Sequence, residues 1–128
     1  MKKLKLLLIA TLVAVVAGCS TTLYNVNNHP VPNSITSPQM KKAILTAGGQ
    51  IGWKMTEVKP GLIKATYAQG KHLAVVNIKY STQSFSITRA NSAGFEYDAK
   101  NSTIRRHYNW WISNLEKKII AQVNLAAH

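Results

Sequence analysis

From residue 51 onward the chain alternates apolar and polar positions in short runs. Ile51, Trp53 and Met55 alternate with Gly52, Lys54 and Thr56. Ile63, Ala65 and Tyr67 alternate with Lys64 and Thr66. Ala74, Val76, Ile78 and Tyr80 are in phase, as are Phe85 and Ile87. The runs are separated by Lys59-Pro60-Gly61, Gln69-Gly70-Lys71 and Ser81-Thr82-Gln83, whose residue types favour turns. Period-two patterning with short turns predicts an antiparallel meander of four strands, one face on a core and one in water. A further short strand over Phe95–Asp98 also fits.

The period changes to that of a helix on both sides of these runs. Ser37 is a good N-cap and Pro38 suits a first helical position, where its missing N–H costs nothing. Met40, Ala43, Ile44 and Ala47 then share a face, and Gly48-Gly49 is expected to end the helix. At the other end Ile104, Tyr108, Trp111, Ile112, Leu115, Ile119 and Val123 fall within an arc of about 120° at 100° per residue. Asn101 or Ser102 can cap this second helix, although no glutamate follows to complete a capping box. The expected fold is α+β: a two-layer α-β-β-β-β-α domain over residues 38–128, with both helices on one face of the sheet.

The first twenty residues read differently. Lys2, Lys3 and Lys5 precede an almost wholly apolar run from Leu6 to Val16, then Val16-Ala17-Gly18-Cys19. This is the layout of a secretory signal, with an apolar run shorter than the roughly 20 residues a spanning helix needs. The small residues ending at a cysteine resemble the lipobox of bacterial lipoproteins. That resemblance implies that residues 1–18 are a signal peptide and that Cys19 takes a diacylglyceryl thioether and becomes the new N-terminus. In Gram-negative lipoproteins an aspartate after the cysteine favours inner-membrane retention. Here Ser20 stands in that position, which implies an outer-membrane anchor with the domain facing the periplasm. Residues 19–37 are rich in Asn, Ser, Thr and Pro without sustained period and read as a flexible tether. His29 in it reads as solvated, while Tyr24 and Val26 are able to dock on the domain with nothing in the pattern requiring it.

An exported location changes the meaning of the charge. Three of the sixteen Lys and Arg precede Cys19, leaving thirteen against four acids, a mature charge near +9. Outside the cytoplasm such a surface meets anionic lipid headgroups, lipopolysaccharide phosphates, peptidoglycan carboxylates or acidic proteins, and not nucleic acid. Lys54, Lys64 and Lys79 belong to the outward face of the meander, among Thr and Ser, and form a candidate basic surface. Cys19 is the only cysteine, so a mature domain has no internal disulfide and must stand on its core.

Arg105–Leu115 reads RRHYNWWISNL. Two arginines, a tyrosine and paired tryptophans suit a stacking platform for single-stranded nucleic acid in a cytoplasmic protein. Here the helical phase claims Tyr108 and Trp111 for the core. Trp110 lies about 160° from the middle of the apolar stripe, on a face with Arg106, Asn114 and Lys117. An exposed indole needs cover from the tether, a second copy, a partner or the lipid interface, unless Arg106 stacks on it as a cation–π pair. Trp110, Arg106, Asn114 and Lys117 are therefore the candidate partner-binding residues. The four acids, Glu57, Glu96, Asp98 and Glu116, show no catalytic spacing with His72 or His107, and no histidine pair has helical metal-ligand spacing, so no catalytic residue, metal or cofactor is expected.

Gly52-Trp53, the later YNWWISNL string and the helix–meander–helix order together resemble small proteobacterial envelope lipoproteins of uncharacterised role. The resemblance spans most of the mature chain and implies location and fold; it carries over no ligand residue. The expectation is a non-enzymatic binding or adaptor module whose partner is an envelope protein, the alternative being direct binding of an anionic lipid or glycan polymer.

Overall fold

Alternation and helical period together lead to two layers in the computed structural model, which describes residues 20–128. The elements in order are β1 (Ser20–Thr22), β2 (Val26–Pro30), α1 (Ser37–Gln50), β3 (Lys54–Lys59), β4 (Leu62–Gln69), β5 (His72–Tyr80), β6 (Ser84–Ala93), β7 (Thr103–Arg105) and α2 (Arg106–Ala126). The α+β class is as expected, but the main sheet has five antiparallel strands, in the order β2-β6-β5-β4-β3, and β1 and β7 form a separate pair. The register aligns Ile63, Ile78 and Ile87 across three strands, beside Ala65 opposite Val76 and Tyr80 opposite Phe85. These residues join Met40, Ile44 and the inward residues of α2 in one buried cluster. Side chains alternate sides along a strand, so the same register turns Lys54, Lys64 and Lys79 outward.

The fifth strand comes from the segment expected to be a tether. β2 pairs with β6, and Val26 and Ile35 are each only 3 % exposed. β1 pairs with β7, with Ser20 opposite Arg105 and Thr22 opposite Thr103. His29 is half-buried, its ring 5.2 Å from that of Phe85, and does not behave as solvated filler. Two isolated apolar residues in a polar stretch give no period to detect, yet each fills a place in the core.

Both helices begin elsewhere than expected. Thr36, not Ser37, caps α1: its hydroxyl accepts from the Gln39 N–H at 3.3 Å, and the Gln39 amide oxygen accepts from the Thr36 N–H at 2.9 Å. This reciprocal pair is a capping box, in which glutamine does what glutamate usually does. The helix continues through Gly48-Gly49 to Gln50, and the Met55 side chain lies so close to Gly48 that a Cβ there would collide with it. At α2, Asn101 and Ser102 form a turn around the Asp98 carboxylate, which accepts from the Asn101 amide at 2.8 Å. Ile104 is buried within β7, and the helix starts only at Arg106 with no side-chain cap.

Two substitutions test this arrangement. Trp111→Ala, at a 7 % exposed ring in edge-on contact with Tyr67 and Phe95, should lower stability by about 3–5 kcal/mol. Ile35→Ala should cost about 2 kcal/mol, whereas in a loose tether it would cost nothing measurable. Denaturant midpoints of the purified domain check both.

Candidate functional site

The phase of α2 decides what its surface offers. Tyr108, Trp111, Ile112, Leu115, Ile119 and Val123 are all buried. With successive residues 100° apart, burying Trp111 turns Trp110 outward, and Trp110 is 62 % exposed while Trp53 and Trp111 are at 5 % and 7 %. Arg106, Asn114 and Lys117 are exposed on the same side of the helix, so the structure groups the four candidates as the periodicity predicts. The alternative of an Arg106 stack is not among the described contacts. The ring beside Trp110 is that of His107, 5.8 Å away, and the described cation–π contact is Arg89 over Tyr97, 3.5 Å from its centroid.

Trp110 also forms the lip of a cleft absent from the expectations. The hollow, of about 320 Å³, runs between α2 and the β3–β4 end of the sheet. Ile51, Trp53, Tyr67 and Trp111 form its apolar wall; Gln69, His107 and Asn114 give it polar groups. Trp53 stacks on Tyr67 at 5.4 Å, and Tyr67 meets Trp111 edge-on at 4.6 Å, so the wall is a continuous aromatic layer. Stacked and edge-on pairs are the arrangements aromatic rings prefer, each contributing about 1 kcal/mol beyond burial, which favours this wall geometry. The sequence signal for it was the phase shared by Trp53 and Tyr67, which also marked them as core.

The acids are placed in structural contacts. Glu57 pairs with Lys41, and Glu96 with Arg105 at 2.9 Å. The Arg105 guanidinium holds the Glu96 carboxyl below its usual range, and the Asn101 amide does the same for Asp98. Glu116 accepts from the Tyr24 hydroxyl at 2.6 Å and lies 3.8 Å from His29. His72 and His107 approach to 6.1 Å between ring centroids, but among the described residues no group of three His, Cys, Asp or Glu could hold a metal. The lysines of the sheet lie on the opposite side of the molecule from Trp110. Lys54 is paired with Thr66, Lys64 with Asn77 and Lys79 with Ser86, and all three are exposed.

The roles of Asn109 and Glu116 in holding the start of the chain were not foreseen from the sequence. The Asn109 amide donates to the Thr22 carbonyl at 2.7 Å and accepts from the Tyr24 N–H at 2.9 Å, acting like a short strand partner. With the Leu23 N–H donating to the Ser102 carbonyl and the Tyr24–Glu116 contact, it fixes residues 20–24 along the flank of α2. Cys19 lies outside the described residues, and no helix among them is long and apolar enough to cross a membrane. No protein-family model, no curated protein and no solved structure matches the chain.

The Tyr24 contact has a pH signature. Its hydroxyl donates to the Glu116 carboxylate, which pushes the phenol from 10.0 up to about 12. A pKa raised by folding contributes stability that is fully present below pH 10 and lost as pH rises through about 12. Spectrophotometric titration should find Tyr24 among the late phenols with the buried Tyr108, which burial also pushes to about 12. Tyr24→Phe should leave one late phenol fewer; an unchanged titration would mean that the contact does not form.

Proposed function

We propose that the chain is an outer-membrane lipoprotein, anchored through lipid on Cys19, whose periplasmic domain is a non-enzymatic binding and adaptor module. Its contact surface is the Trp110 side of α2 with the adjoining aromatic cleft. The observation that carries this reading is the exposure of Trp110, at 62 %, on the lip of that cleft. An indole left in water at the edge of an aromatic wall is the composition of an interface anchor. Support for a binding role over catalysis comes from the acids, each held in a structural contact. Support for the anchor comes from the charged, apolar and small-residue order before Cys19.

A second reading rests on the register. It gathers Lys54, Lys64 and Lys79 on one exposed sheet face, which suits an anionic envelope polymer such as lipopolysaccharide or peptidoglycan. Salt separates the two. A contact made by exposed lysines weakens steeply as ionic strength rises, whereas an aromatic contact at Trp110 persists.

Cys19→Ser should move the protein from the detergent-extracted membrane fraction to the soluble periplasmic fraction. If it stayed with membranes, the lipoprotein assignment would be wrong. Trp110→Ala should change stability by less than about 1 kcal/mol, because an exposed side chain loses little packing. The same change should weaken the contact by about 2 kcal/mol, read as loss of crosslinks from a photoreactive residue at Asn114 in intact cells. Arg106→Ala should reproduce part of that loss, and Lys79→Ala none.

A further inference from the structure

The reading of residues 19–37 as a tether let the domain range far from its anchor, and the structure removes that freedom. Cys19 is bonded directly to Ser20, so their Cα atoms lie no more than about 3.8 Å apart. Ser20 is the strand partner of Arg105, across about 5 Å of an antiparallel ladder. Arg105 is the residue from which α2 starts. Trp110 follows five residues later, about 7.5 Å along the helix axis. The attachment point of the lipid is thus confined to within ~20 Å of Trp110 and closer still to Arg106. The intervening chain is clamped by the two Asn109 hydrogen bonds and by Tyr24 on Glu116, so it cannot swing the domain away.

We infer that the bilayer surface itself covers Trp110: lipid on Cys19 seats the first turns of α2 on the membrane, with the Trp110 indole in the headgroup layer and the Arg106 guanidinium on lipid phosphates. This rests on the reading of Cys19 as lipidated and names what the α2 contact surface meets first. An indole, apolar in body and with one polar N–H, is favoured at that depth. Arg106 is exposed one turn before it, and Lys117 lies two turns beyond on the same side, matching an anionic surface. The Glu96 carboxylate, brought to β7 by Arg105 at 2.9 Å, has its charge compensated and does not oppose that approach.

The test uses the full lipidated protein, purified from membranes and reconstituted into vesicles containing phosphatidylglycerol. Ordinary vesicles are compared with vesicles whose acyl chains are brominated near the glycerol. Bromine quenches nearby indoles, so emission should fall measurably, by at most about a third where the three tryptophans emit equally. Trp110→Phe should abolish the fall, because Trp53 and Trp111 are buried in the domain. Arg106→Gln should reduce it; quenching as strong as wild type would remove Arg106 from the contact. Intact mass and flotation keep the two ideas apart. Protein that carries the diacylglyceryl mass and floats with the vesicles, yet emits equally in both, overturns the seating alone. Protein that lacks that mass and does not float overturns the lipoprotein reading, and the seating with it.

Discussion

The domain depends on one amphipathic helix lying along one face of an antiparallel sheet. With its single cysteine at position 19, the rest of the chain has no disulfide to draw on, and the stripe from Tyr108 to Val123 closes the core that replaces it. The phase that buries this stripe is not adjustable. A helix advances about 100° per residue, so a shift that hid Trp110 would expose Trp111 and open the aromatic layer formed with Tyr67 and Phe95. The exposure of Trp110 is therefore a direct consequence of how the core is closed. A large apolar ring left 62 % exposed at that place is what calls for a functional reading.

The same helix organises the start of the chain through polar contacts on its flank. Asn109 satisfies one N–H and one C=O of residues 22–24, and Glu116 accepts from Tyr24. Individually such hydrogen bonds contribute about 1 kcal/mol. Together with the β1–β7 pair and the buried Val26 and Ile35, they convert a polar segment into part of the fold. Residues 20–24 are thereby held against β7 and α2 and are not a flexible lead.

Much of this was legible in the sequence. The strands β3 to β6 and the inward phase of α2 follow from periodicity, because burial on one side imposes a period that many residues report at once. Trp110 could be singled out for the same reason. The N-terminal strands were not legible, since β1 and β2 are short edge pieces held by a partner distant in sequence: Val26 faces Ile87, and Ser20 faces Arg105. A propensity for turn or linker residues was overridden by tertiary pairing. The helix starts were missed for a local reason. Thr36 is as good a cap by type as the neighbouring Ser37 and has Gln39 at the position that completes the box, and Asp98 draws Asn101 into a turn before α2 can begin. The cleft was hidden because its residues carry the same pattern as core; whether a ring wall is covered or open depends on what packs above it.

The two charged surfaces can be ordered by geometry. α2 and the lysine face of the sheet lie on opposite sides of a two-layer domain, separated by the core. The whole core lies between them, and exposed charges are screened within about 8 Å at physiological salt, so the two faces act almost independently. A short link to a lipid on Cys19 would place one of them, the α2 side, against the membrane. Lys54, Lys64 and Lys79 would then point away from it, into the periplasm, where a bilayer cannot neutralise them. On that geometry the two readings of function cease to compete. On the proposed seating the tryptophan and arginine would set the orientation of the domain at the membrane, and the lysines would remain open to an anionic or acidic partner.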